Sequence, residues 1–146
     1  MSDRVILQRV RLFLLILSAF LCLGTLAELW LTGHTENPVQ LLPFVLCGVG
    51  FVVIVLALFR PTTGTVQLLR VVMLFVGLGS LFGLFEHIEH NIAFALEIQP
   101  NLTTADVFWD ALGGANPLLA PGVLGITAVL ALAATYYHPA LQTVRK

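Results

Sequence analysis

The sequence predicts an all-α integral membrane protein of one domain, with four transmembrane helices paired as two helical hairpins and both termini in the cytoplasm. Three observations carry this reading. Of 146 residues, 58 % are hydrophobic and 10 % are charged. A soluble domain carries roughly 25 % charged residues, so there is too little polar surface here to coat a soluble globule. Four apolar runs, at about 12–31, 41–59, 68–96 and 118–137, are long enough to cross a bilayer. Basic and acidic residues then fall at opposite ends of those runs. The net charge of -1 provides no basic face for phosphates, which argues against a nucleic-acid partner. The bilayer is the first partner the composition implies.

Leu12 to Leu31 is apolar except for Ser18, Thr25 and Glu28. At about 1.5 Å per residue it spans about 30 Å, the hydrocarbon thickness. Its basic start and small residues at Gly24 to Ala27 also suit a signal peptide, but the run is long for one, and a retained first span is expected. Thr32 to Gln40 is a polar loop punctuated by Gly33 and Pro38. The second span ends at Arg60-Pro61 and a turn follows. The third run exceeds what a bilayer requires, so its last turns should project beyond the hydrocarbon. Glu97 to Pro117 reads as the longest loop, and the fourth span carries Pro121 in its first turn, where proline is tolerated.

Every Lys and Arg (Arg4, Arg9, Arg11, Arg60, Arg70, Arg145, Lys146) lies on the side of the N-terminus, the second loop or the C-terminus. Every acid except Asp3 lies on the other side. The positive-inside rule then places the termini in the cytoplasm, in a plasma membrane of the bacterial inner-membrane kind. Trp30 and Trp109 fall at the outer boundary, where aromatic belts sit.

The two halves can also be laid over one another as a duplicated hairpin. Arg9 matches Arg70, Glu28 matches Glu89, Asn37-Pro38 matches Asn116-Pro117, and Phe59-Arg60-Pro61 matches Tyr137-His138-Pro139. Such symmetry would set Glu28 and Glu89 at equal depth, facing each other across the bundle.

The candidate site is Glu86-His87-Ile88-Glu89-His90-Asn91, at the far end of the third run. Ionisable residues in membrane helices are costly and face a protein interior or a water-filled cavity. Turning about 100° per residue, Gly79, Gly83, Glu86, His90 and Glu97 share one stripe, flanked by Glu89 and His87. Gly79-x-x-x-Gly83 is a small-xxx-small pair that permits close helix approach. On the first helix, Gly24, Thr25 and Glu28 form a similar stripe, extended by Leu17 and Leu21.

Imidazole with carboxylate suits a divalent transition metal such as Zn, Fe, Mn or Cu. The expected ligands are Glu28, Glu86, His87, Glu89 and His90, with His34, Glu36 and Glu97 as peripheral candidates. The set departs from di-metal bundles, since Glu86-x-x-Glu89 stands where Glu-x-x-His is needed. Haem is disfavoured, because no second-helix histidine lies at matching depth. The expected function is therefore a small membrane protein holding such a metal in its outer leaflet, within a homo-oligomer or larger membrane complex. The competing readings are a purely structural accessory subunit with no ligand, and a membrane-embedded metalloenzyme or proton-coupled transporter component. No catalytic triad, phosphate loop or dinucleotide fingerprint is present, and Cys22 and Cys47 read as small packing residues. The metal reading requires the tips of the first and third helices to converge, bringing Glu28 to His87 and His90.

Overall fold

The protein is described by a computed structural model over residues 2–142; Arg145 and Lys146, which enter the charge argument, lie outside the described residues. Among the described residues all regular structure is helical, with no strand. Its elements are α1 (Asp3–Leu31), α2 (Pro38–Phe59), α3 (Thr63–Ile98), α4 (Thr104–Ala111), α5 (Leu119–Ala134) and α6 (Pro139–Gln142). Of these, α1, α2 and α3 are long and apolar enough to cross a membrane, and α5 is apolar but shorter.

Local chemistry sets the helix starts. Asn37 accepts from the Gln40 N–H at 3.1 Å, and the Gln40 amide oxygen accepts from the Glu36 and Asn37 N–H groups. This reciprocal cap, with Pro38 in the first turn, starts α2 three residues before the apolar run does. Thr62 and Thr65 make the equivalent box at the start of α3. In the long loop expected over 97–117, Thr103 and Asp106 cap a further short helix, α4. The fourth run, expected over 118–137, is helical only over Leu119–Ala134.

The helices pack as an antiparallel ring. α1 lies against α2 and α5, α3 lies against α2 and α5, and α1 and α3 sit diagonally with no direct backbone approach. The inward face of α1 is Arg11, Leu15, Ser18, Cys22, Thr25 and Leu29. These steps alternate between four and three residues, the spacing that keeps one seam turned toward a bundle. On α3 the buried seam is Val66, Leu69, Met73, Val76 and Ser80, continuing to Asn91. Outward-facing Phe13, Phe20, Phe75, Leu78, Leu81 and Val129 form an exposed apolar coat suited to lipid.

The α3–α5 seam is the closest. A Cβ added at Gly77 would meet the Ala128 Cβ at 3.8 Å, and one at Gly83 would meet the Pro121 Cβ at 3.1 Å. Between them, the buried Ser80 hydroxyl donates to the Pro121 carbonyl at 2.6 Å. Small residues let backbones approach closely where no hydrophobic force drives helices together. Gly79 and Gly83 do not act as one pair: Gly79 faces Leu46 on α2, and Gly83 faces Pro121 on α5.

A Cβ at Gly125 would stand 2.6 Å from the Ser80 Oγ, whereas one at Gly24 would meet nothing within 4 Å. Gly125→Ala should therefore destabilise the bundle by roughly 1–3 kcal/mol, the usual cost of overpacking. Gly24→Ala should be neutral or slightly stabilising. Thermal unfolding of both variants in one detergent checks this; equal midpoints would refute the close seam.

Candidate functional site

Beyond Gly83 the α3–α5 seam turns polar. Half-buried His87 faces the segment leading into α5, and its Nδ1 lies 2.8 Å from the Pro117 carbonyl. A carbonyl only accepts, so Nδ1 carries the proton and, in the neutral ring, Nε2 holds the free lone pair. One turn on, Asn91 is 2 % exposed. Its amide nitrogen donates to the carbonyls of Ala111 and Asn116, both at 2.9 Å. Its oxygen accepts from the Asn116 N–H at 2.8 Å and from the Asn116 side chain at 3.2 Å. A side-chain amide can offer two donors and two acceptor sites, so this one is fully used. A Cβ at Gly114 would sit 2.5 Å from the Asn91 Cγ, so glycine is what lets the loop close over the amide.

This clamp fixes one wall of a groove of about 400 Å³. Pro38, Val39, Leu42, Pro43 and Leu46 of α2 form one side, and Gly79, Phe82 and Gly83 of α3 the other. Glu86, His87, His90, Gln40, Asn37 and Asn116 gather as the polar residues at its head. Pro43 has no N–H, so the helical donor to the Val39 carbonyl is missing and an acceptor is left in the groove wall. The ring of His90 is held by its own helix, with Nδ1 2.7 Å from the Glu86 carbonyl, which again leaves Nε2 as the acceptor.

The expected stripe is thus partly gathered. Gly79, Gly83, Glu86 and His90 line one groove together with His87. Glu28 is not brought to it. Glu28 is exposed, one residue from the inward-facing Leu29, on a helix diagonal to α3. The proposed convergence of Glu28 with His87 and His90, and its mirror placement opposite Glu89, are therefore corrected. Glu89 and Glu97 are exposed and line no part of the groove. Glu89 approaches the His90 Nδ1 at 3.7 Å, a surface contact of small energetic weight. Glu36 is exposed in the first loop. What the first hairpin does deliver is His34, whose ring centroid lies 6.4 Å from that of His87. Burial, then the neighbouring His87, hold the His34 pKa below its ordinary value, against a smaller opposing pull from Glu36. Among the described residues, no three His, Cys, Asp or Glu side chains gather around a common point.

Asn91 closes the candidate stretch, and ligand chemistry alone gives it no role. Its signal was available: it stands one helical turn beyond His87, on the seam that runs through Met73, Val76 and Ser80.

The chain matches no protein-family model, no curated protein and no solved structure.

Asn91→Ala strands the Asn116 N–H and two carbonyls. It should cost roughly 1–3 kcal/mol and speed amide exchange across 104–116; unchanged exchange there would refute the clamp. The lowered His34 pKa sets a pH dependence. An undocked first loop binds its proton at higher pH than the docked one, so docking is fully stable above about pH 6.5 and weakens as pH falls through that value. An NMR titration of the His34 ring should show it, and a midpoint at or above the free-histidine value would contradict the burial.

Proposed function

We propose that the chain is a small integral membrane protein that binds an amphipathic, membrane-dissolved molecule in the α2–α3 groove. Its acidic end faces outward and its arginine end faces the cytoplasm of a bacterial inner membrane. The orientation rests on the charge distribution: Arg4, Arg9, Arg11, Arg60 and Arg70 stand at one end of the helices, and the acids other than Asp3 at the other. The ligand class rests on one observation. An apolar trough runs between Leu42, Leu46 and Phe82 and ends at hydrogen-bonding groups of both kinds, the Glu86 carboxylate, the two imidazoles and the Gln40 amide. Apolar pockets with a few convergent polar groups are the usual form of small-molecule sites. The tail of the ligand lies in the trough and its head meets Glu86 and His90.

A second reading keeps the divalent transition metal, with Glu86 and His90, one turn apart on α3, as its first two ligands and the others supplied by water or a second copy, since no three donors gather among the described residues. What favours it is the state of the His90 ring: it donates its Nδ1 proton to a backbone carbonyl, the arrangement that orients metal-binding histidines.

One purification separates the two. Protein extracted in mild detergent without chelator is divided between organic extraction for mass spectrometry and elemental analysis. The groove reading expects one amphipathic species enriched over bulk lipid, lost in Leu42→Trp and reduced in Glu86→Gln. A lipid profile identical in wild type and Leu42→Trp would overturn it. The metal reading expects stoichiometric metal lost in Glu86→Gln/His90→Ala, and trace metal in wild type would sink it.

A further inference from the structure

The arginine end of the bundle carries a second cavity of about 360 Å³, lined by Arg70, Tyr136, Tyr137, His138, Leu141 and Gln142. Its wall is the frayed end of α5. That helix stops at Ala134, and Tyr137 turns into the left-handed region with a φ of 49°. The carbonyls freed there are taken by two cations from diagonal helices. Arg11 Nη2 donates to the carbonyls of Tyr136 at 3.1 Å and Tyr137 at 2.8 Å. Arg70 donates from Nε to the Thr135 hydroxyl at 2.8 Å and from Nη2 to the Thr135 carbonyl at 3.0 Å.

These partners are dipoles, not charges. Among the described residues the one imidazole–carboxylate contact within 4 Å is at the acidic end, between His90 and Glu89, and no carboxylate reaches Arg11 or Arg70. Arg11 is 9 % exposed, and its buried Nε has no hydrogen-bond partner. Buried charges are ordinarily paired, and among the described residues neither guanidinium has a carboxylate within 4 Å to balance it. His138 sits in the field of both arginines: burial first, then Arg11, then Arg70 hold its pKa below the ordinary value. Its Nδ1 accepts the Ala140 N–H at 3.2 Å, so the neutral ring carries its proton on Nε2 and can donate.

We propose that this cavity binds the phosphate of an anionic phospholipid headgroup. Arg70 supplies the charge, the His138 Nε2–H a hydrogen bond, and Arg11 a second positive field from behind. The cavity lies at the foot of the spanning helices, where headgroups sit. Tyr136 and Tyr137, 69 % and 65 % exposed, present the amphipathic rings that belong at that level. Basic pockets between helix ends are a known form of lipid headgroup site. These features favour a lipid over free phosphate.

The test is native mass spectrometry of the full chain in detergent, titrated in parallel with phosphatidylglycerol, phosphatidylcholine and inorganic phosphate. Phosphatidylglycerol should bind in preference to phosphatidylcholine, and Arg70→Gln should weaken it about tenfold, the loss expected for one charge-assisted contact. Arg60→Gln, which removes a cation outside the cavity, should leave binding unchanged. If Arg70→Gln fails to fold, His138→Ala carries the same readout, because it leaves both arginine contacts with the α5 end in place. Equal binding of the two lipids would overturn the proposal, as would equal loss in Arg60→Gln and Arg70→Gln, which would mean diffuse surface attraction. Displacement of phosphatidylglycerol by an equal concentration of inorganic phosphate would also overturn it, by making this a free-anion site.

Discussion

The close contact of α3 with α5 is the constraint on which the rest of the molecule hangs. Glycine, alanine and serine along this seam let two backbones approach until the Ser80 hydroxyl reaches the Pro121 carbonyl. Once that distance is set, the next turns of α3 meet the segment before α5 whether or not they are apolar. His87 finds the Pro117 carbonyl, and Asn91 finds Ala111 and Asn116. The polar end of α3 is therefore a continuation of the packing seam in hydrogen bonds. The groove against α2 exists because this seam holds α3 from its other side.

The two ends of the bundle solve different electrostatic problems. At the acidic end, the imidazoles of His87 and His90 are oriented by backbone carbonyls and keep acceptor nitrogens free. At the arginine end, two guanidinium groups hold an unwound helix terminus by its carbonyls. Oxygen lone pairs at a helix C-terminus attract cations, so the same contacts that finish α5 also concentrate positive charge there.

Much of the fold was legible in the chain because span length and helix punctuation are one-dimensional signals. The run at 41–59 and the punctuation at Arg60-Pro61 lie close to the observed α2. The grouping of Gly79, Gly83, Glu86 and His90 on one stripe was legible from helical geometry, and the four do line one groove. What could not be read was which stripe faces inward. In a soluble helix the apolar face marks the core, but here Leu78, Leu81 and Phe85 outside are as apolar as Met73 and Val76 inside. Hydrophobic contrast vanishes, and rotation about the axis is left undetermined. Glu28 was assigned inward by a symmetry argument, yet its neighbour Leu29 occupies that face. The signal that does survive is small and polar residues at seam spacing: Ser18, Cys22 and Thr25 on α1, and Ser80 and Asn91 on α3. α4 was missed for a simpler reason. Its Thr103–Asp106 box is a helix-start signal, but the eight residues that follow Thr103 are too few and too polar to register as an apolar run.

The early end of α5 has a mechanical consequence. Its sixteen residues, Leu119–Ala134, give a rod of about 24 Å, against a hydrocarbon layer of about 30 Å. The longer α1, α2 and α3 impose no such shortfall. A bilayer around the molecule would meet that shortfall on one flank only, and local thinning or tilt is the ordinary way a short apolar helix is accommodated.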